Sequence, residues 1–216
     1  MNSLNSIQSV NNKSLSNRTN IPSSSNSQYA NLTPLVIANS GFTDPTLASG
    51  TNVELIGNVT SSLTDTSSLP GWTITYTKTG GATIAVGLAD TLFVTDLSPT
   101  YPQSCYFNFQ QTAGQCVFSQ TTYIQTPGTY TFSVWATPFI QQSSIVYNAT
   151  NTLSVSLNGI SSSPVSLSTT SQIWQQISIT TSITSEGIYP ISINLSNTET
   201  SQASAIFFTD SSVVSG

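Results

Sequence analysis

The chain has 216 residues, a formal net charge of -5 and no histidine, and charged side chains make up only 5% of it. Its only cations are Lys13, Arg18 and Lys78. Too few titratable groups are available to cluster for acid–base, metal or phosphate chemistry, and no Lys/Arg patch exists to release counterions from nucleic acid or to hold an anionic membrane surface. Hydrophobic residues at 37% still provide a core, and the polar excess is uncharged, unlike the high-charge signature of disorder.

Residues 1–34 are dominated by Asn and Ser, with Pro22 leading into Ser23-Ser24-Ser25, and show neither a helical nor a strand period. They are read as an arm, disordered alone or ordered on a neighbouring subunit. The start Met1-Asn-Ser-Leu-Asn-Ser-Ile-Gln-Ser-Val10 lacks the charged and apolar regions of a signal peptide, and no apolar run reaches the roughly 20 residues that span a bilayer as a helix. The expected location is a virion or another extracellular surface, reached without a signal in this sequence and without membrane insertion.

From Leu35 to Gly216 the pattern becomes that of a single domain of strands. Apolar and polar residues alternate in Thr73–Thr77, Thr83–Val86, Thr91–Val94, Thr129–Trp135, Leu153–Leu157, Pro164–Leu167, Trp174–Ile179 and Tyr189–Leu195. Turn chemistry separates them at Gly80-Gly81, Thr126-Pro-Gly128, Asn158-Gly159, Ser161–Pro164 and Glu186-Gly187. No stretch carries a 3.6-residue period with an apolar face. The expected fold is all-β, a two-sheet antiparallel jelly-roll sandwich with an extended N-terminal arm.

Cys105 and Cys116 flank a turn signal at Thr112-Ala-Gly114, so a hairpin there would bring them together. Two readings stand: a disulfide, or two buried thiols packed in strands. The asparagine triplets at Asn12, Asn17, Asn31, Asn58, Asn148 and Asn194 fit the glycosylation pattern, but a chain so rich in Ser and Thr produces about that many by chance.

Several short motifs occur in a familiar order: Asn39-Ser-Gly-Phe42 before Pro45, Pro70-Gly-Trp72, Cys105–Phe109, Phe118-Ser-Gln120, Pro127–Ala136, Val155–Gly159, Trp174-Gln175 and Ile206–Asp210. In that order they resemble the galactose-binding-like jelly rolls, a superfamily that includes carbohydrate-binding modules and a plant cell-wall domain family of unknown function. The resemblance covers residues 36–214. It implies a structural calcium near the chain ends, for which Asp44 and Asp210 are the matching acids, although Thr43 stands where the family's acid is expected. It also implies sugar stacking on exposed aromatics. Trp72, Tyr101, Tyr123 and Tyr147 are the candidates for that role, with packing under the Pro-Gly turn the favoured reading of Trp72, while Trp135 and Trp174 read as core.

Catalysis has little to draw on. The acids Asp44, Glu54, Asp65, Asp90, Asp96, Glu186, Glu199 and Asp210 are scattered, so no pair is marked out to flank a glycosidic bond. A serine nucleophile would have only Lys78 in the domain as its base. Two non-enzymatic functions follow. The first is a structural protein of a large assembly, a minor capsid or surface component of a virus particle, whose arm contacts other protein subunits. The alternative is a carbohydrate-binding module or adhesin domain whose partners are glycans.

Overall fold

The computed structural model describes residues 37–48, 50–90, 103–138, 151–167, 173–198, 200 and 204–216. The arm over residues 1–34, the strand expected at Thr91–Val94, and Tyr101 and Tyr147 lie outside the described residues. All described regular structure is β, with every strand pair antiparallel. The strands are β1 (Asn52–Val59), β2 (Leu63–Asp65), β3 (Thr73–Asp90), β4 (Gln103–Ile124), β5 (Gly128–Pro138), β6 (Thr152–Leu157), β7 (Ile160–Ser161), β8 (Val165–Ser166), β9 (Gln175–Ile183), β10 (Gly187–Asn197) and β11 (Ser204–Ser215).

Two long strands organise the sandwich. β3 pairs with β4 from Thr73↔Ser119 to Asp90↔Gln103, with one register shift between Lys78 and Gly80. Along its other edge, β4 pairs with β10 over residues 114–124 and with β11 over residues 105–109. The same pair therefore serves both layers. One layer runs β6-β10-β4-β3-β2, with β7 and β8 on the outer edge of β6; the other runs β9-β5-β11-β4-β3-β1.

The side-chain pattern records the crossing. In the first layer Ile74 and Tyr76 of β3 and Cys116 and Phe118 of β4 face the core; in the second, Ile84, Val86 and Leu88 pair with Phe109, Phe107 and Cys105. β4 thus presents even-numbered residues to the core in one half and odd-numbered residues in the other. A ribbon stepping between facing layers must change which of its surfaces is inward. Two sequence expectations are corrected here. Gly80-Gly81 does not end a strand and Thr112–Gly114 does not close a hairpin, because both segments lie within continuous strands at the crossing. The glycines read as turns are instead the small residues of that step.

The core combines Leu153, Val155 and Leu157 of β6 with Ile191, Ile193 and Leu195 of β10 on one side, and Phe132, Val134 and Ala136 of β5 with Ile206 and Phe208 of β11 on the other. Asn158-Gly159 does make a tight turn: both residues have positive φ, 54° and 76°, and Leu157 pairs with Ile160 across them. This two-residue hairpin leads to β7, a short strand that the sequence pattern does not reveal.

Candidate functional site

The motifs that carry the family resemblance converge on one structural seam. Asn39 and Phe42 have left-handed φ values of 49° and 54°, and the Phe42 amide donates to the Asn39 carbonyl at 3.1 Å. The Asn39 side chain takes the Asp44 amide on Oδ1 at 3.0 Å and donates from Nδ2 to the Asp44 carbonyl at 2.8 Å and the Pro70 carbonyl at 3.3 Å. One amide thereby locks the Asn-Ser-Gly-Phe turn to the Pro-Gly-Trp turn. Gln120 clasps Ala38 on the other side, accepting from its amide at 2.9 Å and donating to its carbonyl at 3.1 Å.

So braced, Phe42 enters the core. It stacks on Trp72 with centroids 5.3 Å apart and meets Phe208 edge-on at 5.1 Å; Phe208 continues edge-on to Phe118 at 4.8 Å. Trp72 is 2% exposed and donates from Nε1 to the Asn39 carbonyl at 3.4 Å. Trp72 therefore packs under its turn against Phe42 and offers no open ring for a sugar. Tyr123 is likewise buried, at 7% exposure, and its hydroxyl donates to the Glu186 carboxylate. It offers no open ring either.

Cys105 and Cys116 sit on the same strand, on the inward surfaces of its two halves, and both are free and fully buried. The hairpin that would have joined them is absent from β4. Burial pushes both thiols well above their ordinary pKa, and for Cys116 the neighbouring Cys105 adds to the shift. Buried thiols held protonated are poor nucleophiles and poor ligands.

Asp44 and Asp210 flank the seam, Asp210 in a left-handed bulge of β11 at φ 53°. A calcium there would draw on six to eight oxygens. The carbonyls on offer already accept protein donors: Ser40 from the Ser211 amide and hydroxyl, Gly41 from the Thr209 hydroxyl, and Phe42 and Pro45 from the Gln103 amide. Among the described residues no three acidic, thiol or imidazole side chains come together. The donor set does not fit the ion.

The outer faces of the two layers differ. Over the first layer, a groove of about 410 Å³ runs across β4, β10 and β6, lined by Gln115, Ser154, Ser156, Ser192, Asn194 and Ser196 among others. It is hydroxyl and amide chemistry without a ring to stack on. Over the second layer, cross-strand partners Glu54, Gly87, Tyr106, Phe207 and Thr137 form a row perpendicular to the strands. Tyr106 lies across Gly87, where an added Cβ would come within 2.4 Å of the phenol ring. Burial first, then the nearby Glu54 carboxylate, raises the Tyr106 phenol above its usual pKa. Tyr106 and Phe207 are 5.7 Å apart and form a small apolar cluster with Ala89 and Ala205, on which Trp174 packs.

Trp135 occupies the same outer face of β5, directly between Thr209 and Gln176, while Val134 and Ala136 on either side of it point into the core. Both Trp135 and Trp174 are half-buried, in contrast to the fully buried Trp72. The exposed Gln176 lies two residues beyond Trp174 and donates to the Ser133 hydroxyl at 3.3 Å, and that hydroxyl also bonds Ser212 at 3.0 Å. The core assignment of these two tryptophans is thereby corrected. The signal was present in their numbering: inward Val134 and Ala136 place 135 outward, and inward Ile177 places 174 and 176 outward.

No family model matches the chain, and no curated protein matches it. A solved structure shares its fold. A carbohydrate-binding module, TmCBM61, solved in complex with β-1,4-galactotriose, superposes with a TM-score of 0.55 at 12% identity, covering 85% of this chain and 100% of the module. A tailspike domain of bacteriophage CBA120 aligns at TM-score 0.45 and 15% identity over 68% of this chain and 20% of its own, and a CBM4 module at 0.41 and 13% over 68% and 95%. The chain shares the β-sandwich fold of TmCBM61.

Proposed function

We propose that this domain is a carbohydrate-binding module that holds neutral glycans without acting on them. The observation that carries the proposal is the pair of partly buried tryptophans, Trp135 and Trp174, on the outer face of the second layer beside the exposed Gln176. A pyranose has an apolar face of C–H groups and an equatorial rim of hydroxyls. An indole surface with adjacent neutral donors and acceptors matches both parts. The shortage of charge suits a neutral polymer: neither β5 nor β9 carries a lysine or arginine that would select uronate or sulfate groups. The fold shared with TmCBM61 supports the reading and makes β-1,4-galactotriose a rational first ligand.

Assembly into a particle, with the arm tying subunits together, has no support in the described residues. The test is a glycan array followed by calorimetric titration of the full chain, beside Trp135→Ala and Trp174→Ala. Saturable binding to a neutral oligosaccharide that weakens in both variants is the expected result. Binding that ignores both substitutions and falls in Asn194→Ala would move the site to the groove over the first layer. Absence of any glycan binding by the folded chain would refute the reading.

A further inference from the structure

One buried side chain gathers the first turn of the seam through several backbone groups at once. Gln103, the first residue of β4, is 3% exposed and uses every hydrogen-bonding group of its amide. Nε2 donates to the carbonyls of both Phe42 and Pro45, the latter at 2.8 Å, and Oε1 accepts the Leu47 amide at 2.9 Å. These contacts gather three points of the segment from 42 to 47 onto one group. Below it, the Thr209 hydroxyl lies 3.2 Å from the Gly41 carbonyl and 3.0 Å from Gln103's own carbonyl, so the first turn, β4 and β11 share one network.

We propose that Gln103 is a neutral surrogate for a cation: its amide fork gathers carbonyls that a metal ion would otherwise gather, and makes the seam independent of calcium. The chemistry is specific to an amide. Two N–H groups point at two carbonyls as a cation would, while the oxygen on the same group satisfies a backbone N–H that a cation would repel. A glutamate has the same length but no donors when ionised. Placed at 103, it would set a carboxylate against two buried carbonyl oxygens, an arrangement of like partial charges that a hard cation resolves. Leucine or methionine would leave both carbonyls and the Leu47 amide without partners.

Thermal unfolding of the full chain, in millimolar calcium and in chelator, tests the proposal. The native chain is expected to melt at the same temperature in both. Gln103→Leu is expected to melt about 5–10 °C lower with or without calcium. Gln103→Glu is expected to be at least as destabilised in chelator and to recover several degrees in calcium, a recovery lost again when Asp44→Asn is added. The Gln103→Glu arm separates a cation's position from an ordinary buried hydrogen bond, because only the former converts a lost amide into a metal requirement. A saturable, calcium-dependent rise in the native chain's melting temperature would overturn the proposal, as would a Gln103→Leu chain that melts like the native one. Should both variants fail to fold without metal, refolding in calcium decides it: recovery of folded Gln103→Glu but not of Gln103→Leu is expected, and equal failure of both would overturn the proposal.

Discussion

The seam around Asn39 and the outer face around Trp135 draw on the same stock of neutral amides, hydroxyls and aromatic rings, and use it in opposite ways. In the seam, Asn39, Gln103 and Gln120 spend their amides on backbone groups of the first turn, and Phe42 and Trp72 cover each other. On the outer face, Trp135 and Trp174 are only half-buried, beside an exposed Gln176. An aromatic residue thus acts as mortar or as platform according to the surface of the sandwich it stands on. Residue type alone does not separate the two uses.

The sharpest way to break the contrast is to empty the seam. Phe42→Ala removes a ring that contacts both Trp72 and Phe208, so a loss of about 3–5 kcal/mol is expected, read as a lowered denaturant midpoint. The same kind of truncation on the platform should act on binding instead. Trp135→Ala and Trp174→Ala are each expected to weaken glycan affinity roughly 10-fold, about 1.4 kcal/mol, with the circular-dichroism spectrum unchanged.

Alkaline pH probes the core more gently. Cys105 and Cys116 are raised by burial, so the folded state favours their protonated forms. That contribution is complete below the ordinary thiol value of about 8.5 and is lost as pH rises from there toward the raised folded values. Stability should fall between neutral pH and about pH 10, and the fall should be shallower in a Cys105→Ala, Cys116→Ala chain; equal slopes would contradict the assignment. Tyr76 and Tyr106, also raised chiefly by burial, add their own loss only from about pH 10 upward. The smallest expected effect is Gln176→Ala, a loss of about threefold in glycan affinity, since one solvent-exposed hydrogen bond nets only ~0.5–1 kcal/mol.

Much of the fold was legible because burial on one side writes a period of two into a strand: Leu153–Leu157 and Tyr189–Leu195 read directly as β6 and β10. The crossing was not. Gly80, Gly81 and Gly114 carry the same local signature whether they end a strand or let two strands step between layers, and only the partner strands decide. β1 leaves little trace in the sequence because Asn52–Val59 pairs along one edge of the sandwich and is largely exposed, so its alternation is weak. For the site, the ordered motifs pointed to Asn39, Trp72 and Asp210, which serve architecture. The platform was hidden by an apolar triplet, Val134-Trp135-Ala136, in which the largest residue is the one facing out.

The strand pair β3 and β4 carries one further consequence, for how the domain comes apart. In a sandwich whose layers are joined only by loops, one layer can loosen while the other holds. Here the two layers share the same hydrogen-bonded ribbon, so releasing either one strips partners from the other. Amide protons near the crossing, at Tyr76, Phe107 and Cys116, should then exchange with solvent only through complete unfolding, and peripheral strands such as β2 and β8 should exchange long before them.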